Sequence, residues 1–301
     1  MISILNTSET PFLFSAYPFI KISFILGGCP ERALQSVLYL CNNNLLIFSS
    51  THTMANDSHI PDFSIKSIGI VHSCFKEKFA IPRQPALAPA ARGEIELLPP
   101  YDDPVAIEGL ENVSHLWLSF IFHQAIPKEG EVRLRVRPPR LGGNKKIGVF
   151  ATRATHRPNP LGLSVVKLDG IKNGRLQISG IDLLDGTPIV DIKPYVPYAD
   201  ALLNATNSIA SESPELSYVE FDAKVLVAAQ EHAKRLDQPV KELIEQMLAQ
   251  DPKPAYQKAD PERIYGVKIW DLEVKWRYLS GASHCDSDQK STLYIVSIEA
   301  V

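Results

Sequence analysis

The run HLWLSFIFHQ, residues 115–124, decides the fold class. It is apolar and aromatic almost throughout, as expected of a central β-strand covered on both faces. Upstream, FSIKSIGIVH (63–72) alternates and is rich in β-branched residues, and Gly93–Leu98 supplies a second short strand. Downstream, EVRLRV (131–136) alternates, with Val132, Leu134 and Val136 expected inward and Arg133 and Arg135 outward. Lys146–Thr152, Gly162–Leu168, Arg175–Ile181 and Pro188–Ile192 continue the pattern. Asp169-Gly170, Asn173-Gly174 and Asp185-Gly186 are hairpin or tight-turn signals. Closely spaced strands with almost no helical periodicity predict a mainly β domain, a barrel or sandwich, over residues 63–203.

Outside this region the pattern changes. Asn204–Pro214 is rich in Ser, Asn and Ala and reads as a linker. Residues 215–301 predict a smaller α+β domain: a strand near Ser217–Ala223, helical periodicity over Lys224–Leu248 broken at Pro239, and closing strands at Tyr265–Tyr278 and Ser291–Ile298. The first 53 residues carry only Glu9, Lys21, Glu31 and Arg32 as charges. No Lys or Arg precedes Lys21, so they lack the basic start of a secretory signal. Residues 1–62 therefore read as a disordered extension or a misassigned start, with Met54 as the true first residue.

The 301 residues are enough for one large domain or two modest ones, and 45% hydrophobic with 22% charged residues matches an ordinary globular chain. Cys29, Cys41, Cys74 and Cys285 form no C-x-x-C pair and no zinc-type spacing, which favours reduced thiols in a cytoplasmic protein and no metal site. No apolar run reaches membrane-spanning length. A G-x-G-x-x-G after a strand, a P-loop, H-E-x-x-H and G-x-S-x-G are all missing.

The net charge of −3 gives no hint of a polyanionic partner, yet charge clusters locally. Arg133, Arg135, Arg137, Arg140, Lys145, Lys146, Arg153 and Arg157 face a single acid, Glu131, between residues 131 and 160. Such density suits phosphate contacts and equally suits a solvated strand face. Within it lies ATRATHRPNPLGLS (151–164), where Pro158 and Pro160 fix the backbone and Gly162 permits close approach. Pro82-Arg83-Gln84 follows the first strand, His123-Gln124 ends the apolar run, and DPKPAY (251–256) follows a helix. Each is also explained by an ordinary loop, capped strand end or helix stop.

Together these segments resemble the TsaA/TrmO family of tRNA methyltransferases. The carriers are FAIPRQP (79–85), GLENVSHLWLSFIFHQ (109–124), RPPRLGG (137–143), GVFATRATHRPNPLGLS (148–164), DLLDGTPIVDIKPYVPYAD (182–200) and DPKPAY (251–256). Six collinear matches make chance untenable. The resemblance implies a TsaA-like β-barrel with a smaller C-terminal domain. It also implies a homodimer that binds S-adenosylmethionine without a Rossmann sheet and methylates N6 of threonylcarbamoyladenosine at position 37 of threonine tRNA. It places cofactor contacts on Pro82, Arg83, Gln84, His123, Gln124, Arg153, Leu163, Asp251, Pro252, Lys253 and Pro254. Lys253 departs from the arginine more common in the family and lacks its bidentate fork.

On this reading the basic residues Arg133, Arg135, Arg137, Arg140, Lys145, Lys146 and Arg157 grip the anticodon stem-loop. Asp251 and Tyr256 are the candidate catalytic residues, Asp251 as base or cofactor-orienting group and Tyr256 as a stacking face. Binding is favoured for Asp251, because an exposed aspartate is a weak base near neutral pH. The rival expectation is a non-catalytic RNA-binding β-barrel module.

Overall fold

The computed structural model describes residues 64–128, 133–138, 146–210, 213–253, 257–279 and 291–301, with the backbone of four strands nearer the N-terminus. The chain divides into two units, 1–64 and 65–301. In the first, β1 (Ile4–Leu5), β2 (Lys21–Ile25), β3 (Gln35–Cys41) and β4 (Asn44–Phe48) pair as an antiparallel meander.

The second unit begins with β5 (Gly69–Ser73), β6 (Arg92–Leu97) and β7 (His115–Ile121). A short ribbon follows, β8 (Arg135–Val136) and β9 (Ile147–Gly148), and then β10 (Leu161–Lys172), β11 (Arg175–Ser179) and β12 (Thr187–Pro194). Strands β10, β11, β6, β5, β12 and β7 close into an antiparallel barrel, β7 pairing with β10. The decisive run lies in that closing pair. Leu116, Leu118 and Phe120 point into the barrel and are buried, whereas His115, Trp117 and Ser119 are partly exposed on its outer face.

The turn signals divide in their outcomes. Asn173 (φ 52°) and Gly174 (φ 75°) make the β10–β11 hairpin with two left-handed residues. Asp185-Gly186 precedes β12, with Gly186 at φ 74°. Asp169-Gly170 is not a turn: the register shifts between Leu168 and Gly170, a bulge inside a longer strand than expected. The 131–136 strand is likewise corrected. Only Arg135–Val136 pairs within it, and Leu134 is 64% exposed rather than inward; the flanking 129–132 lie outside the described residues.

After α1 (Pro197–Asp200), the C-terminal part comprises β13 (Tyr218–Phe221), α2 (Ala223–Leu236), α3 (Val240–Ala249), β14 (Tyr265–Ile269), β15 (Leu272–Tyr278) and β16 (Thr292–Ala300). Its sheet runs β13-β16-β15-β14, parallel only at β13–β16. The Asp222 carboxylate caps α2 by accepting from the Val225 N–H, and Pro239 separates α2 from α3 as expected.

This small domain is fixed to the barrel. Trp270 N–H donates to the Cys74 carbonyl at 2.7 Å, Ala90 N–H to Gln246 Oε1 at 2.8 Å, and Phe79 stacks on Trp276 with ring centres 5.9 Å apart. The buried residues of both parts form one continuous core, from Val71 and Ile95 through Phe75 to Ile269 and Trp276. Among the described residues, no helix is long and apolar enough to cross a membrane.

Candidate functional site

Three loops of the barrel and one loop of the C-terminal part border a single open groove of about 2880 Å³. The β5–β6 loop contributes Pro82, Arg83 and Gln84; Pro82 is buried and Arg83 exposed. The end of β7 contributes His123 and Gln124. That end is locked beside the next loop, because Phe122 N–H donates to the Pro160 carbonyl at 2.7 Å. Lys78 Nζ donates to the Gln124 carbonyl at 2.8 Å.

The 151–160 loop and the start of β10 supply Arg153, Arg157 and Leu163. Arg153 Nη1 donates to Gln84 Oε1, joining two separated loops. Arg157, read from the sequence as an RNA contact, also has partners within its own loop. Its Nη1 donates to the Thr152 carbonyl at 2.8 Å and to the Ala154 carbonyl at 3.4 Å, bracing its own loop. Leu163 is 57% exposed, an apolar surface beside the polar groups of these loops.

From the C-terminal part come Asp251, Pro252 and Lys253. Asp251 sits at φ 48°, an unusual conformation for a residue with a Cβ. Two donors hold it: Tyr278 O–H on Oδ1 at 2.7 Å and Lys253 Nζ on Oδ2 at 2.5 Å. The Lys253 ammonium also lies 5.4 Å from the Tyr278 ring centre. The lysine therefore acts here as a point charge on one oxygen. Pro254 and Tyr256 lie outside the described residues.

Of the basic track, Arg133, Arg135, Arg137 and Lys146 line the groove on the β8–β9 ribbon and are exposed; Arg140 and Lys145 lie outside the described residues. The ribbon is anchored by buried Val149, whose N–H donates to the Leu134 carbonyl at 2.9 Å. Arg135 Nη2 donates to the Lys146 carbonyl at 2.9 Å.

The structure adds groove residues that sequence reasoning passed over. Gln250 is 3% exposed; its Nε2 donates to the Leu87 and Gln246 carbonyls, while Oε1 has no partner among the described residues. An unsatisfied buried acceptor costs about 1–3 kcal/mol, a cost that a ligand donor would offset. Asp182 also lines the groove, and buried Ser164 donates Oγ–H to its Oδ1 at 2.6 Å. Burial pushes this carboxyl up to about 6, against the pull of Ser164, its own backbone and the Arg153 charge. It alternates with buried Ile181 and Leu183 on the partly exposed side, where a polar residue is ordinary, so the local pattern carried no signal for it. Among the described residues, no cluster of His, Cys, Asp or Glu is arranged to hold a metal ion.

Residues 70–201 match the tRNA-methyltransferase O N-terminal domain, and residues 214–290 match the TrmO C-terminal domain. The chain belongs to the tRNA-methyltransferase O family. Within that family it is 64% identical over 215 residues to RcsF of Pseudomonas aeruginosa, a protein assigned as an S-adenosylmethionine-dependent methyltransferase, covering 71% of this chain and 92% of that one. It is 46% identical over 221 residues to the tRNA (adenine(37)-N6)-methyltransferase of Escherichia coli K12, covering 71% and 93%. The crystal structure of TrmO from Pseudomonas aeruginosa superposes with a TM-score of 0.65 at 51% identity, covering 80% of this chain and 99% of that one. Membership in the TrmO family agrees with the barrel, the small tail domain and the missing glycine fingerprint.

Proposed function

We propose that this protein transfers a methyl group from S-adenosylmethionine to N6 of an adenine in tRNA. The substrate is threonylcarbamoyladenosine at position 37 of threonine tRNA, and the protein acts as a cytoplasmic homodimer. The observation that carries the reading is the meeting of four sequence-distant loops, with Arg83, His123, Arg153 and Asp251 on one groove.

The donor set of that groove fits the methyl donor. Guanidinium groups of Arg83 and Arg153 would hold its carboxylate, Asp251 its ammonium, and the exposed face of Leu163 its adenine ring. The unpartnered Oε1 of Gln250 supplies a further acceptor for an N–H of the bound molecule. When bound, S-adenosylmethionine supplies an already activated methyl on sulfonium. The protein's contribution is then alignment, worth up to roughly 7–11 kcal/mol when two reactants are held in attack geometry. Asp251 serves binding in this scheme, because both its oxygens already accept from Tyr278 and Lys253.

The test is transfer of radiolabelled methyl to total tRNA from cells with and without the threonylcarbamoyl modification. The expected result is incorporation into the modified pool, at adenosine 37, and little into the other. Equal incorporation into both pools would remove the proposed substrate. A pool of threonine tRNA left unlabelled while another RNA is labelled would remove the tRNA assignment as well.

A further inference from the structure

We infer that Asp182 is a catalytic residue of this groove, the acceptor of the proton that the target nitrogen must release. The inference rests on the methyl-transfer reading above and goes beyond it by naming the base.

Among the carboxylates on the groove, Asp182 is the one set between two core residues. Asp182 follows β11 between Ile181 and Leu183, whose side chains are 1% and 2% exposed and sit in the barrel core. Two buried neighbours hold its backbone while its own side chain borders the groove. Ser164, 2% exposed on β10, fixes Oδ1 through its hydroxyl. No donor is recorded on Oδ2 among the described residues. Asp182 is thus held by Ser164 and by its own backbone, and it presents its carboxylate to the groove. Asp251, one of the groove's other carboxylates beside Asp191, Asp200 and Glu215, has donors on both oxygens.

The surroundings suit the task. Arg153, from the loop before β10, is the charged group whose field reaches Asp182, and its guanidinium is engaged by Gln84 Oε1. Ser164 is neutral. Leu163, the neighbour of Ser164 on β10, is the residue on which the methyl donor's ring is proposed to rest. A carboxyl raised to about 6 is a stronger proton acceptor than an ordinary aspartate, yet is still largely ionised at neutral pH.

The step balances without a further reactant. The N6–CH3 bond forms as the S–CH3 bond breaks, and that bond's electron pair stays on sulfur as a neutral thioether. The N6 proton passes to Asp182 Oδ2 and from there to water. A carboxylate that accepts this proton is active only when ionised, so the rate of the methyl-transfer step falls as pH drops through about 6.

The experiment is single-turnover methyl transfer by the full-length protein on purified modified threonine tRNA, from pH 5 to 9. It compares wild type, Asp182→Asn and Ser164→Ala, with S-adenosylmethionine affinity and thermal midpoint recorded for each. Asn keeps the shape and can still accept from Ser164. The expected result for Asp182→Asn is a rate loss of 100-fold or more and a pH profile without the acid limb. Its cofactor affinity should stay within threefold, and its thermal midpoint should be unchanged or higher, because a buried charge has gone. Ser164→Ala should move the acid limb to higher pH, since it removes a bond that favours the ionised form. The assignment is overturned if Asp182→Asn keeps a rate within threefold of wild type, or if its loss tracks weaker cofactor binding or a lowered midpoint. A limb unmoved in Ser164→Ala overturns it too. If wild type itself transfers no methyl to tRNA, the proposed function falls, and the base with it; an active wild type beside an active Asp182→Asn removes the base alone.

Discussion

Gly162 shows how a single residue sets the groove wall. It pairs with Phe120 across the closing strands, and a Cβ built on it would meet Phe120 Cζ at 2.2 Å. The aromatic ring fills the space a side chain would take, and Leu163 follows directly on the outer face. Gly162→Ala must push Phe120 off its packing against Phe122, 5.1 Å away ring to ring. Overpacking of this kind costs about 1–3 kcal/mol, so a lower denaturant midpoint with an unchanged slope is expected. An unchanged midpoint would mean the ring is free to move. At this scale the sequence was partly legible. Glycine in a strand pattern signalled a close approach, but nothing named Phe120 as its cause. Asp182 stayed hidden for a related reason: its environment is made by Ser164 and Arg153, each distant along the chain, and local pattern does not report such neighbours.

The basic β8–β9 ribbon is the element that reaches out from the barrel. Its two-residue strands offer few backbone hydrogen bonds, and buried Val149 is its inward anchor. Sequence alternation predicted a longer strand with Leu134 turned inward. That fails because a period-2 pattern says which residues share a face, not whether anything covers that face. The arginines on it are exposed. Each phosphate contact releases counterions and contributes about 0.7–0.9 to the salt slope of binding. Replacing Arg133, Arg135 and Arg137 together by Gln should lower the slope of log affinity for tRNA against log salt by about 2–3. A slope equal to wild type would exclude the ribbon from RNA contact. Arg157→Gln should also act on loop order, since its Nη1 donates to the Thr152 and Ala154 carbonyls. Elsewhere the elements were read well. The β7 run, the Asn173-Gly174 hairpin and the helix break at Pro239 all rest on local chemistry. Asp169-Gly170 misled, because a bulge and a turn use the same residues and only the partner strand distinguishes them.

Residues 65–301 form a barrel and a tail domain that share one core. Phe79 on Trp276, Ala90 on Gln246 and Gln250 on Leu87 set the 251–253 loop beside the 82–84 loop. Mainly β architecture and a smaller α+β tail were legible in periodicity. Their docking was not, since it depends on side chains from two ends of the chain meeting in a common core. Net charge was equally silent, because the basic residues are balanced by acids on other surfaces, such as Glu94 and Glu96 around Arg175. The account stands on this docking: barrel and tail together hold one methyl donor. The most direct measurement is equilibrium dialysis of radiolabelled S-adenosylmethionine against the full chain and two single variants, Arg153→Ala on the barrel and Lys253→Ala on the tail. The account predicts that each variant keeps its circular dichroism and loses at least tenfold in affinity. Wild-type affinity in either variant would show that the donor is held by one part alone and would contradict the shared groove.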